Sequence, residues 1–93
     1  MGEAVPVRHN EVQHRYEAMV DGLLSVCEYE VAGDQMIFTH TLVPTERRGR
    51  GIAEQLVRAA LAEARAAGRQ VVPACSYVAT FIARHQEYQD LVA

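Results

Sequence analysis

A strand that runs into a glycine- and arginine-rich turn, which then opens a long helix, constrains this chain more than any other feature. It occupies residues 43–68, beginning Val-Pro-Thr-Glu-Arg-Arg-Gly-Arg-Gly-Ile-Ala. After the turn, Ile52, Ala53, Leu56, Val57, Ala60, Leu61 and Ala64 fall on one stripe at the 3.6-residue period. Glu54, Gln55, Arg58, Glu63 and Arg65 fall off it. Alanine is frequent, no proline intervenes, and Gly68 stands where a C-terminal cap belongs.

The turn itself points to an anion. Gly49 and Gly51 leave backbone N–H groups uncovered. The first N–H groups of a helix lack internal partners, and the helix dipole adds partial positive charge there. Arg47, Arg48 and Arg50 crowd the same place. A phosphate or pyrophosphate suits such a site; solvated arginines before a core helix are the plainer reading. The Walker pattern requires Gly-Lys-Ser/Thr, and the chain contains no lysine. The dinucleotide pattern Gly-x-Gly-x-x-Gly would require glycine where Glu54 stands.

Ninety-three residues predict a single domain, 1–93, with a small core. With 49% hydrophobic and 23% charged residues the chain belongs to the globular class. A net charge of −3 argues against a general nucleic-acid binder. No run approaches the ~18 apolar residues of a membrane span, and the N-terminal decad has no apolar signal core. The expectation is a cytoplasmic protein, a monomer or weak homodimer, with no membrane or nucleic-acid partner. Cys27 and Cys75 are too few for a disulfide framework. His9, His14, His40 and His85 show no close ligand spacing, so no metal is expected.

In chain order, residues 1–11 are polar and extended. Val12–Val20 alternates at its end as a half-buried strand, and Asp21-Gly22 suits a tight hairpin with positive φ at both central positions. Leu23–Val31 is a second strand and Gln35–Val43 a third, with Met36, Phe38, His40 and Leu42 on one face. After the helix, Gln70–Ala74 reads as a short strand ended by Pro73, reached by a right-handed crossover. Ser76 can cap a second helix carrying Val78, Phe81, Ile82 and His85. The fold predicted is α+β: an antiparallel three-stranded meander, one parallel strand joined by the long helix, and a second helix at the C-terminus. The end of the third strand, the turn and Cys75 then converge on one sheet edge, where ligands bind in such folds.

Two residues are candidates for chemistry there. Cys75 stands at a strand end before a helix N-terminus, a position that favours the thiolate; a buried inert thiol is the alternative. His40 on the neighbouring strand is a candidate base, against a structural role. Tyr77 is a weaker candidate proton donor, and Cys27 reads as packing. A phosphatase Cys-x5-Arg loop fails, because Phe81 stands where the arginine belongs.

The form Arg-x-x-Gly-x-Gly/Ala at Arg48, Gly51 and Ala53 resembles the acetyl-coenzyme A loop of the GNAT superfamily of N-acetyltransferases. His-Asn-Glu at 9–11, His-Thr-Leu-Val-Pro at 40–44, Arg-Gly-Arg-Gly-Ile-Ala at 48–53 and Pro-Ala-Cys-Ser-Tyr-Val at 73–78 extend the likeness over nearly the whole chain. Together they are similar to the small single-domain GNAT-like group. Arg-His-Gln-Glu-Tyr at 84–88 departs from that group's ending by Gln86 in place of proline. The resemblance implies a GNAT core fold and acetyl-CoA or coenzyme A as cofactor. Leu42 and Val43 would pair with the pantetheine arm. Arg48, Gly49, Arg50, Gly51, Ile52 and Ala53 would hold the pyrophosphate, and Cys75 would lie near the thioester. The function so implied is acetyl transfer to an amine, of a small molecule or protein, that the resemblance does not name. The alternatives are a non-catalytic coenzyme A or acyl-CoA binding module and a plain interaction domain.

Overall fold

In the computed structural model, which describes residues 4–93, five strands form one sheet in the order β1-β2-β3-β4-β5. They are β1 (Arg8–Asn10), β2 (Arg15–Val20), β3 (Leu23–Ala32), β4 (Gln35–Leu42) and β5 (Gln70–Pro73). The first four pair antiparallel; β4 and β5 pair parallel, joined by helix α1 (Ile52–Ala66). Helix α2 (Ser76–Arg84) and a 3-10 turn (Gln86–Leu91) complete the chain. This is the α+β architecture expected, with one strand more. The segment treated as extended contains β1, because Asn10 accepts from the Gln13 backbone N–H at 3.0 Å and His14 takes φ 54. Those two features turn the chain back before Arg15, so β2 starts later than Val12.

The local signals act as their chemistry requires. Asp21 and Gly22 have φ 50 and φ 81, and the strands they join pair in register from Val20↔Leu23. The stripe of α1 is its buried face: Ile52, Leu56, Val57, Ala60, Leu61 and Ala64 all lie in the core. Its end is a Schellman cap. Gly68 takes φ 70, Arg69 N–H donates to Ala64 O at 2.9 Å and Gly68 N–H to Arg65 O at 3.1 Å. In α2, Cys75 rather than Ser76 holds the N-cap position; Val78, Phe81 and Ile82 are buried.

One irregularity reorganises the edge near the glycine turn. The β3–β4 register shifts between Glu28 and Tyr29, from Tyr29↔Phe38 to Glu28↔His40. Thr39 is thereby the extra residue of a β-bulge. Met36 and Phe38 stay in the core, but His40 and Leu42 are exposed. The expectation that these four share a face is therefore corrected: a bulge inverts the alternation partway along β4, and Thr41 takes the inner side.

Candidate functional site

Beyond Phe38↔Pro73 the two parallel strands part. Pro73 has no N–H to continue the ladder, and the Cys75 N–H makes the last link, to Phe38 O at 2.7 Å. Into the mouth of this gap opens a cavity of about 450 Å³, lined among others by Thr41, Leu42, Val43, Arg48, Gly49 and Gly51. Ile52, Ala53 and Glu54, the first residues of α1, form its floor, and Tyr77 of α2 its far wall. The volume falls in the range of ordinary small-molecule sites.

The turn is shaped by its glycines. Gly49 and Gly51 take φ 80 and φ 77, a left-handed conformation costly to residues with a Cβ. A Cβ built on Gly49 would meet nothing within 4 Å, so the space above that backbone is open. The N–H groups of the first turn of α1 face outward from the helix end unpaired within it, since the first intrahelical bond is Gln55 N–H to Gly51 O.

The three arginines, expected to act as a group, have different partners. Arg47 is turned to the β2–β3 hairpin, donating to Val20 O and Asp21 O, each at 3.1 Å. Arg50 lies 3.4 Å from the Asp21 carboxylate. Arg48 alone of the three lines the cavity, and its Nε donates to Val43 O at 3.0 Å, joining the turn to the end of β4. Arg47 and Arg50 therefore brace the loop against the hairpin, while Arg48 presents charge to the cavity.

Cys75 does not line the cavity, but its neighbour Thr41 does. Thr41 Oγ1 lies 3.5 Å from Cys75 Sγ and 3.8 Å from Cys27 Sγ. Cys75 is 9% exposed. Burial raises its pKa, but the Thr41 hydroxyl and the backbone of Val78, Tyr77 and Thr41 outweigh that, and the thiol lies below its ordinary value. Burial pushes the Cys27 thiol the other way, up to about 12. Two cysteines flanking one threonine are thus electrostatically unlike.

His40 is not brought to this group. Its side chain is 77% exposed, 3.9 Å from the Glu28 carboxylate, on the sheet face away from Thr41. As a candidate base it is turned away from Thr41 and the cavity, because the bulge turned the strand over. Tyr77 does line the cavity, and burial followed by the Glu54 charge raises its phenol pKa. Thr41 is the site residue that sequence reasoning missed. A threonine in a β-branched strand carries no signal of its own, and only the register shift reveals its side.

A parallel strand pair that parts beside a left-handed glycine turn and a helix N-terminus defines a mixed-sheet fold with a cleft suited to an anionic ligand. The comparisons narrow this. Residues 15–91 match the family model described as GCN5-related N-acetyl-transferase, and the chain belongs to that family. The fold is also that of a GCN5-like protein from Staphylococcus aureus determined by NMR in solution. The two share 21% identity and superpose with a TM-score of 0.76, over 96% of this chain and 88% of that one. No helix among the described residues is long and apolar enough to cross a membrane.

Proposed function

We propose that the protein binds acetyl-CoA in the cavity between β4, the glycine turn and α2, and transfers the acetyl group to an amine. The observation that carries this is the cavity's construction: left-handed glycines and a helix N-terminus at one end, and at the other a strand edge whose Thr41 touches the Cys75 thiol behind the lining. The residues fit the group. The backbone of Gly49 to Ala53 and the Arg48 guanidinium suit a pyrophosphate. Leu42 and Val43 suit an extended pantetheine arm against the strand edge. Bound there, acetyl-CoA supplies an activated acyl thioester.

The chain's own contribution is binding, orientation and control of charge. Arg47 and Arg50 hold the loop by way of Asp21. Thr41 Oγ1 lies within hydrogen-bonding reach of Cys75 Sγ and donates to it when the thiol ionises, and α2 directs its N-terminus at the same sulfur. In this reading the Cys75 sulfur, just behind Thr41, takes the acetyl group as its own thioester with coenzyme A leaving as the thiol, and the amine then takes the group from Cys75, freeing the cysteine. The amine must lose a proton to attack, and with His40 on the outer face that proton goes to water. Membership of an acetyltransferase family supports this reading over a purely binding role.

Titration with acetyl-CoA, coenzyme A and inorganic tripolyphosphate, paired with intact mass spectrometry, tests it. Tight binding of both coenzyme forms with weak binding of tripolyphosphate is expected, together with a +acetyl species mapping to Cys75. Equal affinity for all three would reduce the site to a general polyanion loop. Binding without any adduct or transfer would leave a coenzyme A binding module.

A further inference from the structure

At the far end of α1 from the glycine turn, helix and sheet enclose a second cavity of about 200 Å³. One wall is a closed polar network. His9 Nδ1 lies 2.8 Å from Glu63 Oε1, and His9 Nε2 lies 2.5 Å from the Tyr29 hydroxyl. The Tyr16 hydroxyl donates to the same Glu63 oxygen at 3.0 Å, and its ring stacks on His9 with centroids 4.1 Å apart. These four side chains bond to one another and fix the wall.

Two further charged residues line the cavity, Glu11 and Arg69. Opposite in sign and facing the same space, they are not joined: among the described residues neither takes part in an ion pair. Arg69 Nη1 is enclosed and has no hydrogen-bond partner. An enclosed guanidinium nitrogen without an acceptor costs stability, which an anionic partner at that nitrogen restores. Burial raises the pKa of the Tyr29 phenol in the same wall, and the phenol feels both charges, Glu11 raising it further and Arg69 lowering it.

We propose that this cavity binds a small zwitterion of the amino-acid type, its carboxylate on the Arg69 guanidinium and its ammonium on Glu11. A simple anion would meet the carboxylates of Glu11 and Glu63; a simple cation would meet Arg69. A molecule carrying both charges a few atoms apart answers both. The guanidinium matches a carboxylate through two parallel N–H donors. Val31, Met36 and Ala67 supply an apolar stretch of wall for a short aliphatic side chain. The volume lies below the ~300–1,000 Å³ of drug-sized sites, which limits the occupant to a small molecule. From Ile52 to Ala67 the helix rises about 22 Å, so a ligand here does not touch the cavity at the glycine turn. The inference is therefore independent of acetyl-CoA binding.

The test is a titration of the full chain by amide chemical shifts, using glycine, leucine, acetate and methylammonium as probes. Leucine and glycine are expected to give saturable shifts at Glu11, Tyr29 and Arg69 at millimolar concentration. Acetate and methylammonium should each bind about ten-fold more weakly or worse, each lacking one charge contact worth ~1.4 kcal/mol. Glu11→Gln, at an exposed position that leaves the fold intact, and Arg69→Gln should each weaken leucine binding by a similar factor without altering coenzyme A affinity. Absence of a saturable shift with both amino acids overturns the proposal. So does unchanged leucine affinity in Glu11→Gln, or acetate binding as tightly as leucine, which would make the cavity an anion site only.

Discussion

Replacing Thr41 by valine removes one oxygen and almost no volume, and it should make Cys75 a markedly poorer nucleophile. The Thr41 hydroxyl lies 3.5 Å from Cys75 Sγ. Once the thiol is ionised, only the threonine can donate in that pair. A hydrogen bond to a charged group contributes roughly 1.5–3 kcal/mol. The contact to sulfur is long, and the backbone at Val78, Tyr77 and Thr41 shares the stabilisation, so the lower end applies. At ~1.4 kcal/mol per factor of ten, the thiolate fraction near neutral pH should fall about ten-fold. The assay is the rate of iodoacetamide alkylation against pH, read by peptide mass so that each cysteine is followed separately. Cys27, with its thiol pushed up to about 12 and buried, serves as an internal control that barely reacts. Thr41→Ser should restore most of the rate, since the hydroxyl returns. Coenzyme A affinity should change little in either variant. An alkylation profile in Thr41→Val that overlays the wild type would refute the reasoning: the helix N-terminus alone would then set the thiol, and the bulge that turns Thr41 inward would have no chemical role.

Other perturbations have equally definite outcomes. Gly51→Ala should lose about 1–2 kcal/mol in urea denaturation, because φ 77 is strained for any residue with a Cβ; undiminished stability would mean that the turn relaxes. Arg48→Ala should weaken acetyl-CoA binding with a shallower dependence on salt, measured by calorimetry at two ionic strengths, whereas Arg50→Ala should act less because that side chain lies at Asp21. Leu56→Ala should cost ~2–5 kcal/mol, as Leu56 is fully buried in the stripe of α1, and a loss under ~1 kcal/mol would contradict that packing. Glu17 accepts hydrogen bonds from Arg15, Asn10 and Arg8, which pull its pKa from 4.5 to about 2. Its contribution is complete above about pH 4.5 and is lost as pH falls towards 2, so Glu17→Gln should flatten the acid limb of a stability profile over that window.

Much of this protein is decided by short-range chemistry and can be read from residues alone. The stripe from Ile52 to Ala64 specifies a helix and its buried face together, because the 3.6-residue period leaves one solution. Asp21-Gly22 specifies a hairpin, because few dipeptides accept positive φ twice. Gly49 and Gly51 before that helix specify a left-handed turn for the same local reason. What tertiary structure decided is which side chains meet. The bulge at Glu28/Tyr29 is a mismatch between two strands, absent from either strand's own pattern, and it sends His40 outward and Thr41 inward. By charge and reach the three arginines of the turn are alike, and only a family pattern singles out Arg48; physically, the position of Asp21 on a distant hairpin draws Arg47 and Arg50 away and leaves Arg48 at the cavity. His9, Tyr16, Tyr29 and Glu63 carry no spacing that announces a network, since they come from three strands and a helix and meet only when α1 packs across the sheet. Periodicity and backbone preference act within a few residues, so they are written along the chain. Register and long-range pairing depend on two segments at once, and only the folded chain determines them.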